Sequence, residues 1–482
     1  MTSRAGKRER PSERARWEAF AVCTAVASLT ILDLAKINVG LPTIETSLGG
    51  GPTELQLIVA DYALAYGLAL VPAGRLGDLI SRKVMFMFGL SAFTIASVIC
   101  AMAPTIEVLV VGRIWQGLAA GIQMPQVLGL IQTLFLGSER GKAFGLFGGI
   151  IGVSTAFGPT LGGLLIALGG EGDGWRLTFW MNVPLGILAL ILAIRILPAQ
   201  QRRTKVKLEL DLSGILLLGV AVFSLMLPFV LTTGSPEDDP LRWLWLASFA
   251  LAAYGFVVWE RRLQNARRSP LIKFGLLRTQ SYRNGILVAA GYFASTPAIF
   301  LLTTLYVQQG LGLPAVFAGM ISVPLALVSA FSSWFTGRII HRSGPKVVAL
   351  GVLLSFLGYL PALPISAYAP PELIPWLISA FMITAGVGGG MVISGNQTLT
   401  LQDVPVIDAG VAGSVMQVGQ RAGTAIGTAI AAATYFATIY QKPASTSTTI
   451  DYANAYHNGL YVTFGILFLT LIFALVDLRR AK

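Results

Sequence analysis

The chain has 482 residues, of which 54% are hydrophobic and 12% are charged, and its mean hydropathy is +0.70. A soluble domain carries roughly a quarter charged residues, so this composition excludes a soluble globular protein. The formal charge of +12 could suit a nucleic acid, but the basic residues stand between long apolar stretches. We therefore expect no nucleic-acid partner and read the charge as a topology signal.

The chain begins with a basic segment that leads into an apolar run. Its first 16 residues include six Lys or Arg, and the run extends from Trp17 to Leu41. Because similar runs follow, we interpret the first one as a retained membrane helix rather than a cleaved signal peptide. About 20 apolar residues cross the hydrocarbon core, and this criterion predicts fourteen spans. The predicted spans are 17–41, 54–73, 84–103, 106–127, 141–168, 175–197, 212–233, 242–260, 283–307, 315–337, 346–366, 373–397, 408–437 and 458–477.

The Lys and Arg residues fall almost entirely on one side of this topology. Of 35 such residues, 29 lie in the two termini and the loops of one side, three on the other side and three within spans. The positive-inside rule assigns the basic side to the cytoplasm. The sequence thus predicts an inner (cytoplasmic) membrane protein with both termini in the cytoplasm, and anionic lipid headgroups as a partner.

Two short basic turns resemble each other at corresponding places in the chain. Residues 74–83 (GRLGDLISRK) follow the second span, and residues 337–346 (GRIIHRSGPK) follow the tenth. Such a parallel repeat is typical of transporters built from two similar halves. We therefore predict an all-α polytopic membrane protein with two six-helix bundles and two extra central helices. The predicted segments are a tail (1–16), an N-terminal bundle (17–197), the central helices with a basic linker (198–282), a C-terminal bundle (283–477) and a second tail (478–482).

Four motifs resemble those of the major facilitator superfamily, and within it the 14-span drug:proton antiporter family. The turn 74–83 is the first, although Leu79 and Ser81 replace the usual basic residue and glycine. The other three are Leu32-Asp33 through Asn38-Val39-Gly40-Leu41-Pro42 in span 1, Gly112-Arg113-Ile114-Trp115-Gln116-Gly117 in span 4, and Gly152 with Gly158-Pro159-Thr160-Leu161-Gly162-Gly163 in span 5. The resemblance covers nearly everything after the tail. It implies a major facilitator fold, alternating access, and proton-driven export of small organic molecules such as drugs or antibiotics.

Asp33, Asp61 and Arg113 are ionisable residues inside predicted spans, where a charge costs several kcal/mol. At 1.5 Å per residue, all three lie about 10 Å below the outer surface. We therefore expect them to form one polar cluster. In the family that the chain resembles, matching residues are implicated in proton coupling or in recognition of substrate charge. A static Asp–Arg pair that only positions helices is the alternative.

Lys36 stands where the family usually has an apolar residue, on the same helical face as Asp33. One interpretation is an internal Asp33–Lys36 ion pair, and the other is a positive charge presented to an anionic substrate. In the second case Arg421, about 20 Å from the inner face, would bind the same carboxylate from the opposite half, flanked by Gln417 and Gln420. The sequence thus predicts an anionic or zwitterionic substrate, with lipophilic cations as the alternative.

Other candidates line the predicted cavity or its gates. The aromatic and polar candidates for the cavity wall, each of which could instead be a packing residue, are Tyr62, Tyr66, Trp115, Gln116, Tyr292 and Tyr306. The gating candidates near the inner surface are Gly74, Asp78, Arg82, Lys83, Asn396 and Gln397. Those on a small-residue face kinked by proline are Gly158, Pro159, Gly162 and Gly163. We expect Asp78, Arg82 and Lys83 to form a latch that breaks as the halves rock.

The sequence lacks the signatures of other machinery. It has no G-x-x-x-x-G-K-[ST] loop for ATP and no catalytic constellation, so no cofactor and no enzyme activity are expected. The two histidines, His341 and His457, and the two cysteines, Cys23 and Cys100, have no metal-site spacing. We expect a monomer. Two alternatives to a proton-coupled exporter stay open: a proton-linked importer or facilitator of the same fold, and a non-transporting membrane sensor or scaffold.

Overall fold

A computed structural model describes residues 12–49, 52–170, 172–198, 211–232, 238–266, 270–272, 274–440 and 448–480. Most of the first predicted tail, the end of the second, and much of the central linker lie outside these residues. The described residues form eighteen α-helices and no strand. The helices of the first half and the centre are α1 (Glu13–Leu48), α2 (Pro52–Leu79), α3 (Arg82–Ala101), α4 (Ile106–Leu134), α5 (Ser138–Gly169), α6 (Gly174–Trp180), α7 (Asn182–Ile196), α8 (Leu212–Val230) and α9 (Trp245–Asn265). Those of the second half are α10 (Gly275–Arg278), α11 (Gln280–Leu305), α12 (Ala315–Ile321), α13 (Val323–Ser343), α14 (Pro345–Tyr359), α15 (Ala362–Tyr368), α16 (Ile374–Thr400), α17 (Ala409–Ile439) and α18 (Thr449–Arg480).

The predicted all-helical membrane architecture is confirmed, but the predicted count of fourteen spans is not. Among the described residues, twelve helical stretches are long and apolar enough to cross a membrane, or thirteen if the two arms of the bent α5 form one span. The predicted span 106–127 lies in α4, which is not among them. The polar residues buried along α4 are Arg113, Gln116, Gln123, Gln126 and Gln132. Because α4 packs between α2 and α3, all of these groups except Gln132 form hydrogen bonds within the protein, and the helix needs less apolar surface.

The α5 helix bends by 41° between Thr155 and Phe157. Pro159 lies one turn beyond Thr155 and has no N–H with which to bond the Thr155 carbonyl, so the predicted proline kink is confirmed here. The bend turns the outer arm of α5 towards α1, where Gly158 and Gly162 meet the backbone of the first helix.

The two halves of the chain meet along two helix pairs. One pair is α2 with α17, and the other is α5 with α13. At the second, a Cβ atom on Gly145 would lie 2.8 Å from both the Gly337 Cα and the Ser333 carbonyl oxygen. The Ser333 hydroxyl donates a 3.0 Å hydrogen bond to the Gly145 carbonyl. Small residues thus allow two backbones to touch across the boundary between the halves.

The central helices α8 and α9 pack on each other, and α8 also packs against both helices of the first of these pairs. Val222 and Met226 of α8 form an apolar cluster with Leu64 of α2. A Cβ atom on Gly67 would lie 3.3 Å from the Met226 sulfur. The α8 helix therefore covers the side of α2 that faces away from the centre of the first bundle.

Candidate functional site

A buried charge cluster lies inside the first half of the chain. Arg113 of α4 donates from Nη1 to Oδ2 of Asp33 in α1 at 2.6 Å. Nζ of Lys36, one turn further along α1, lies 3.4 Å from Oδ1 of the same carboxylate. The side chains of Asp33 and Arg113 are 0% exposed and that of Lys36 is 1% exposed. The sequence prediction that Asp33 and Arg113 share one cluster is therefore consistent with this geometry.

Asn182 joins the two oppositely charged ends of this cluster. Its amide nitrogen donates to Asp33 Oδ1 at 2.7 Å, and its amide oxygen accepts a 2.7 Å hydrogen bond from Lys36 Nζ. Asn182 is the first residue of α7, directly after the break that separates α7 from α6. Because the helix is broken here, the side chain of the first residue of α7 can point into the bundle. Sequence reasoning missed Asn182, although an isolated amide inside predicted span 175–197 was a usable signal.

A second layer of polar groups fixes the Arg113 guanidinium. Nη1 also donates to Gln116 Oε1 at 2.7 Å, and Nε donates to the Ile58 carbonyl at 3.0 Å. The Gln116 amide in turn donates to the Ser97 hydroxyl at 2.9 Å. Gln116 is therefore a partner of Arg113 within the cluster. Ser97, on α3, was not predicted, because a serine in a helix gives no sequence signal of this role.

Lys36 does not reach Arg421, so the predicted clasp of one carboxylate by both residues is wrong in this conformation. Lys36 points into the first bundle, and the α5 backbone covers it: a Cβ atom on Gly162 would lie 2.8 Å from the Lys36 carbonyl oxygen. Gly158 meets Ala35 in the same way, whereas Gly163 has only an ordinary 3.9 Å approach to Val39. The small-residue face of α5 thus encloses the charge cluster.

Asp61 does not belong to the cluster, contrary to the prediction. It forms none of the ion pairs found among the described residues. It lies one turn before Leu64, which packs against α8, so Asp61 faces the central helices rather than Arg113. Depth along a helix does not fix the direction in which a side chain points around the helix axis.

A second polar site forms where α2 meets α17. The Tyr66 hydroxyl donates to Gln417 Oε1 at 2.7 Å, and the Arg421 guanidinium lies 4.7 Å from the centre of the Tyr66 ring. Arg421 and Gln420 are partly exposed, whereas Gln417 is buried. This arrangement brings a cation and an amide of the second half against Tyr66 of the first half.

A pair of aromatic rings connects the two sites. The Tyr62 and Tyr66 rings stack with centroids 6.4 Å apart and planes inclined by 20°. Arg113 lies 4.2 Å from the Tyr62 ring centre on one side, and Arg421 caps Tyr66 on the other. Guanidinium groups bind well over aromatic faces. The buried charge cluster and the Arg421 site are therefore joined through two side chains of α2.

Three predicted cavity residues lie elsewhere. Trp115 is 62% exposed on the face of α4 that also presents Val111 and Leu118, so it belongs to an apolar outer stripe. Tyr306 is buried in the second half, where its ring stacks on Tyr456 with centroids 4.8 Å apart. Tyr292 is buried in the same core. In this conformation Tyr292 and Tyr306 are therefore core packing residues, and Trp115 lies on the outer surface.

The predicted latch joins the halves at the end of the molecule that carries the basic turns. Asp78 accepts hydrogen bonds from the backbone N–H groups of Gly410 (3.3 Å) and Val411 (3.1 Å), at the start of α17. Arg82 binds Asp78 at 2.8 Å and donates to the Val406 carbonyl at 2.7 Å. A carboxylate at a helix N-terminus is favoured by the helix dipole. Gly74 touches the Gly410 backbone, where a Cβ atom would lie 2.7 Å from the Gly410 oxygen.

The remaining gating candidates make contacts within one half. Lys83 donates to the carbonyls of Ile194 (2.9 Å) and Leu197 (2.6 Å), so it caps the end of α7 instead of joining the latch. Asn396 donates to the Gly285 carbonyl at 2.9 Å, which ties α16 to α11. Gln397 is buried beside it. No group of three or more His, Cys, Asp or Glu side chains in the described part of the chain is arranged to hold a metal ion.

The family model described as Major Facilitator Superfamily matches residues 20–428 of the chain. This chain belongs to the major facilitator superfamily. It is therefore a multi-pass membrane transporter rather than an enzyme, as the sequence motifs implied.

Proteins similar to this major facilitator chain include exporters of antibiotics. It is 32% identical to the "Probable actinorhodin transporter" of Streptomyces coelicolor over 86% of this chain and 72% of that protein. It is 28% identical to the "Tetracenomycin C resistance and export protein" of Streptomyces glaucescens over 88% and 77%. Among solved structures, the human organic anion transporter MFSD10 has a similar fold, with a TM-score of 0.67 at 13% identity over 96% and 100% of the two chains.

Proposed function

We propose that this protein is a proton-coupled exporter of small organic molecules, such as drugs or antibiotics, that works by alternating access. The observation that supports coupling best is the fully buried Arg113–Asp33–Lys36 cluster. Ionisable groups inside a membrane are costly and mark ion or substrate pathways. We keep the division into two six-helix bundles and two central helices as part of this proposal.

The charge balance of the cluster indicates where the transported proton resides. With all three groups ionised, the set carries one negative and two positive charges. Removing a proton from Lys36 makes the set neutral, whereas adding one to Asp33 leaves two uncompensated cations. An unbalanced charge in apolar surroundings is unfavourable, so we assign the proton to Lys36, with Asp33 and Asn182 as its partners. Lys36 thus takes the carrier role that the family resemblance gave to Asp33.

We assign substrate recognition to the site around Arg421. Arg421 is partly exposed beside Gln420, and its guanidinium packs on the face of the Tyr66 ring. A cation with neighbouring amides suits an anionic or zwitterionic substrate. The stacked Tyr62 and Tyr66 give the Lys36 cluster a physical route to this site, because displacement of either ring changes the surroundings of both guanidinium groups.

The latch is closed in this conformation, and the direction of transport is inferred from the relatives. Asp78 and Arg82 close the two halves together at the basic end, which the positive-inside rule assigns to the cytoplasm. The binding site is then separated from the cytoplasm in this conformation. The relatives named above as a transporter and as a resistance and export protein favour outward transport. Localisation in the cytoplasmic membrane, with both termini inside, belongs to the same proposal.

Transport by the purified full chain in liposomes tests the proposal. An imposed pH gradient should drive carboxyfluorescein, an anion, against its own gradient into the compartment that is acidic, and ethidium, a lipophilic cation, should move less. Movement of substrate together with protons would indicate the importer. Absence of any movement, across a panel of anionic, zwitterionic and cationic dyes, would support a non-transporting sensor or scaffold.

A further inference from the structure

A cavity in the wall of the protein lies apart from both polar sites. It has a volume of about 770 Å³ and lies where α1 and α5 of the first half approach α13 of the second. Its walls are almost wholly apolar, and the residues at its open side include Phe157, Leu164 and Phe331, which is 66% exposed. Large exposed apolar side chains are typical of a surface that faces lipid tails rather than water.

The two serine hydroxyls in this cavity are already hydrogen-bonded. The hydroxyls of Ser28 and Ser154 form a 2.5 Å hydrogen bond with each other across the α1–α5 contact. The Ser154 hydroxyl also donates a 2.8 Å hydrogen bond to the Ile150 carbonyl. The cavity interior therefore suits a hydrocarbon chain and offers little to a polar solute.

Two cations flank the cavity at its basic end. Lys142 lies four residues before Leu146, and Arg338 lies four residues after Trp334, so each stands one turn beyond a wall residue on the same helix face. The Arg338 guanidinium lies 3.7 Å from the centre of the Trp334 ring. Both cations are exposed, and neither forms an ion pair within the described residues. One helical turn corresponds to about 5 Å, so each cation stands about 5 Å beyond the apolar wall.

We infer that this cavity binds an anionic phospholipid of the cytoplasmic leaflet, with an acyl chain between α5 and α13 and the phosphate between Lys142 and Arg338. The cations lie at the end of the molecule that carries the basic loops, so they are at the level of the inner headgroups. The apolar walls extend from there towards the bilayer centre, the direction in which an acyl chain runs. Charge complementarity selects an anionic headgroup over a zwitterionic one. The inference does not depend on which substrate the transporter carries.

The site has a mechanical consequence because it adjoins the contact between the halves. Gly149 and Ala330 line the cavity, and a Cβ atom on Gly149 would lie 2.9 Å from the Ala330 carbonyl oxygen. A bound acyl chain would thus contact both halves beside the point where α5 and α13 touch. Separation of these helices during the transport cycle would open or close the lipid site.

Native mass spectrometry of the delipidated full chain tests this inference. We expect the first phosphatidylglycerol to bind roughly tenfold more tightly than phosphatidylcholine, since each basic side chain adds about a few-fold of affinity for an anionic headgroup. The double variant Lys142→Gln/Arg338→Gln should lose this preference. The matched control Arg278→Gln/Arg283→Gln removes two exposed cations from the same end of the second half and should keep it.

A second pair of variants locates the acyl chain. Ile150→Trp places a large ring in the cavity about 12 Å along α5 from Lys142, within the cytoplasmic leaflet, and should weaken the first bound lipid of either class. Leu168→Trp, on the exposed part of α5 outside the cavity, should not. Thermal unfolding of each variant shows that the fold is retained. Equal binding of both lipids by the unaltered protein, equal losses in the charge variant and its control, or no effect of Ile150→Trp would each overturn the inference.

Discussion

Nζ of Lys36 lies 3.4 Å from Oδ1 of Asp33, one turn earlier in α1, and neither side chain is more than 1% exposed. This pair decides between the two roles that the sequence allowed for Lys36. The lysine contacts an acid and an amide of its own bundle, and it does not face the second half. Its charge therefore lies inside the first bundle, beside the carboxylate that it shares with Arg113.

Replacement of Lys36 by Arg distinguishes a proton carrier from a simple cation. Arginine keeps the positive charge but does not release its proton in proteins. We expect Lys36→Arg and Lys36→Met both to abolish pH-gradient-driven transport, while exchange of substrate down its own gradient persists. The measurement is dye flux in liposomes with and without a pH gradient. Normal proton-driven transport by Lys36→Arg would show that only the charge matters.

Asn182 is expected to stabilise the cluster by bonding both Asp33 and Lys36. Asn182→Ala leaves two buried polar groups without their partner, which costs about 1–3 kcal/mol. We predict a lower midpoint of thermal unfolding in detergent and an altered pH profile of transport. Ser248→Ala is a suitable control, because it removes a 3.1 Å hydrogen bond to Ser224 in the central helices. A similar pH profile for Asn182→Ala and the unaltered protein would contradict this role.

The latch prediction concerns the charge of Asp78. Asp78→Asn weakens the ion pair with Arg82 and removes the negative charge at the start of α17, a change of about 1–2 kcal/mol in a partly buried setting. The ratio of the closed to the open population at the basic end should fall by roughly tenfold. Distance measurements between spin labels at Ser138 and His341, both exposed, would record the opening. Asp403→Asn, an exposed acid at the same end that accepts from Ser281, should leave the distances unchanged.

The α5–α13 contact is expected to tolerate no added methyl group. A Cβ atom on Gly145 would lie 2.8 Å from backbone atoms of Gly337 and Ser333, whereas one on Gly152 meets nothing within 4 Å. Gly145→Ala should therefore hinder closure of the halves and reduce transport, at a cost of about 1–3 kcal/mol for overpacking. Gly152→Ala, on the same helix, should transport normally. Equal transport by both variants would mean that the halves do not close through this contact.

Sequence alone determined the membrane class, the helical architecture and the family, because apolar run length and the placement of charge are properties of the chain itself. It also identified Asp33, Arg113, Asp78 and Arg82. A charge inside an apolar run must find a partner, so its mere presence predicts a site. The span count was less secure, because α4 buries polar groups that bond to neighbouring helices and so departs from a simple hydropathy criterion.

Only the tertiary structure decided which charges meet. Asp61 and Asp33 have similar predicted depths, yet the rotation of α2 about its axis directs Asp61 towards α8 and leaves Tyr62 beside Arg113. Asn182 enters the cluster because the chain breaks between α6 and α7, and Lys36 turns inward because Gly162 lets α5 cover it. Depth along a helix follows from residue number, but direction around it depends on packing against distant segments. For this reason the buried charged residues could be predicted from the sequence, whereas their partners are determined by the tertiary packing.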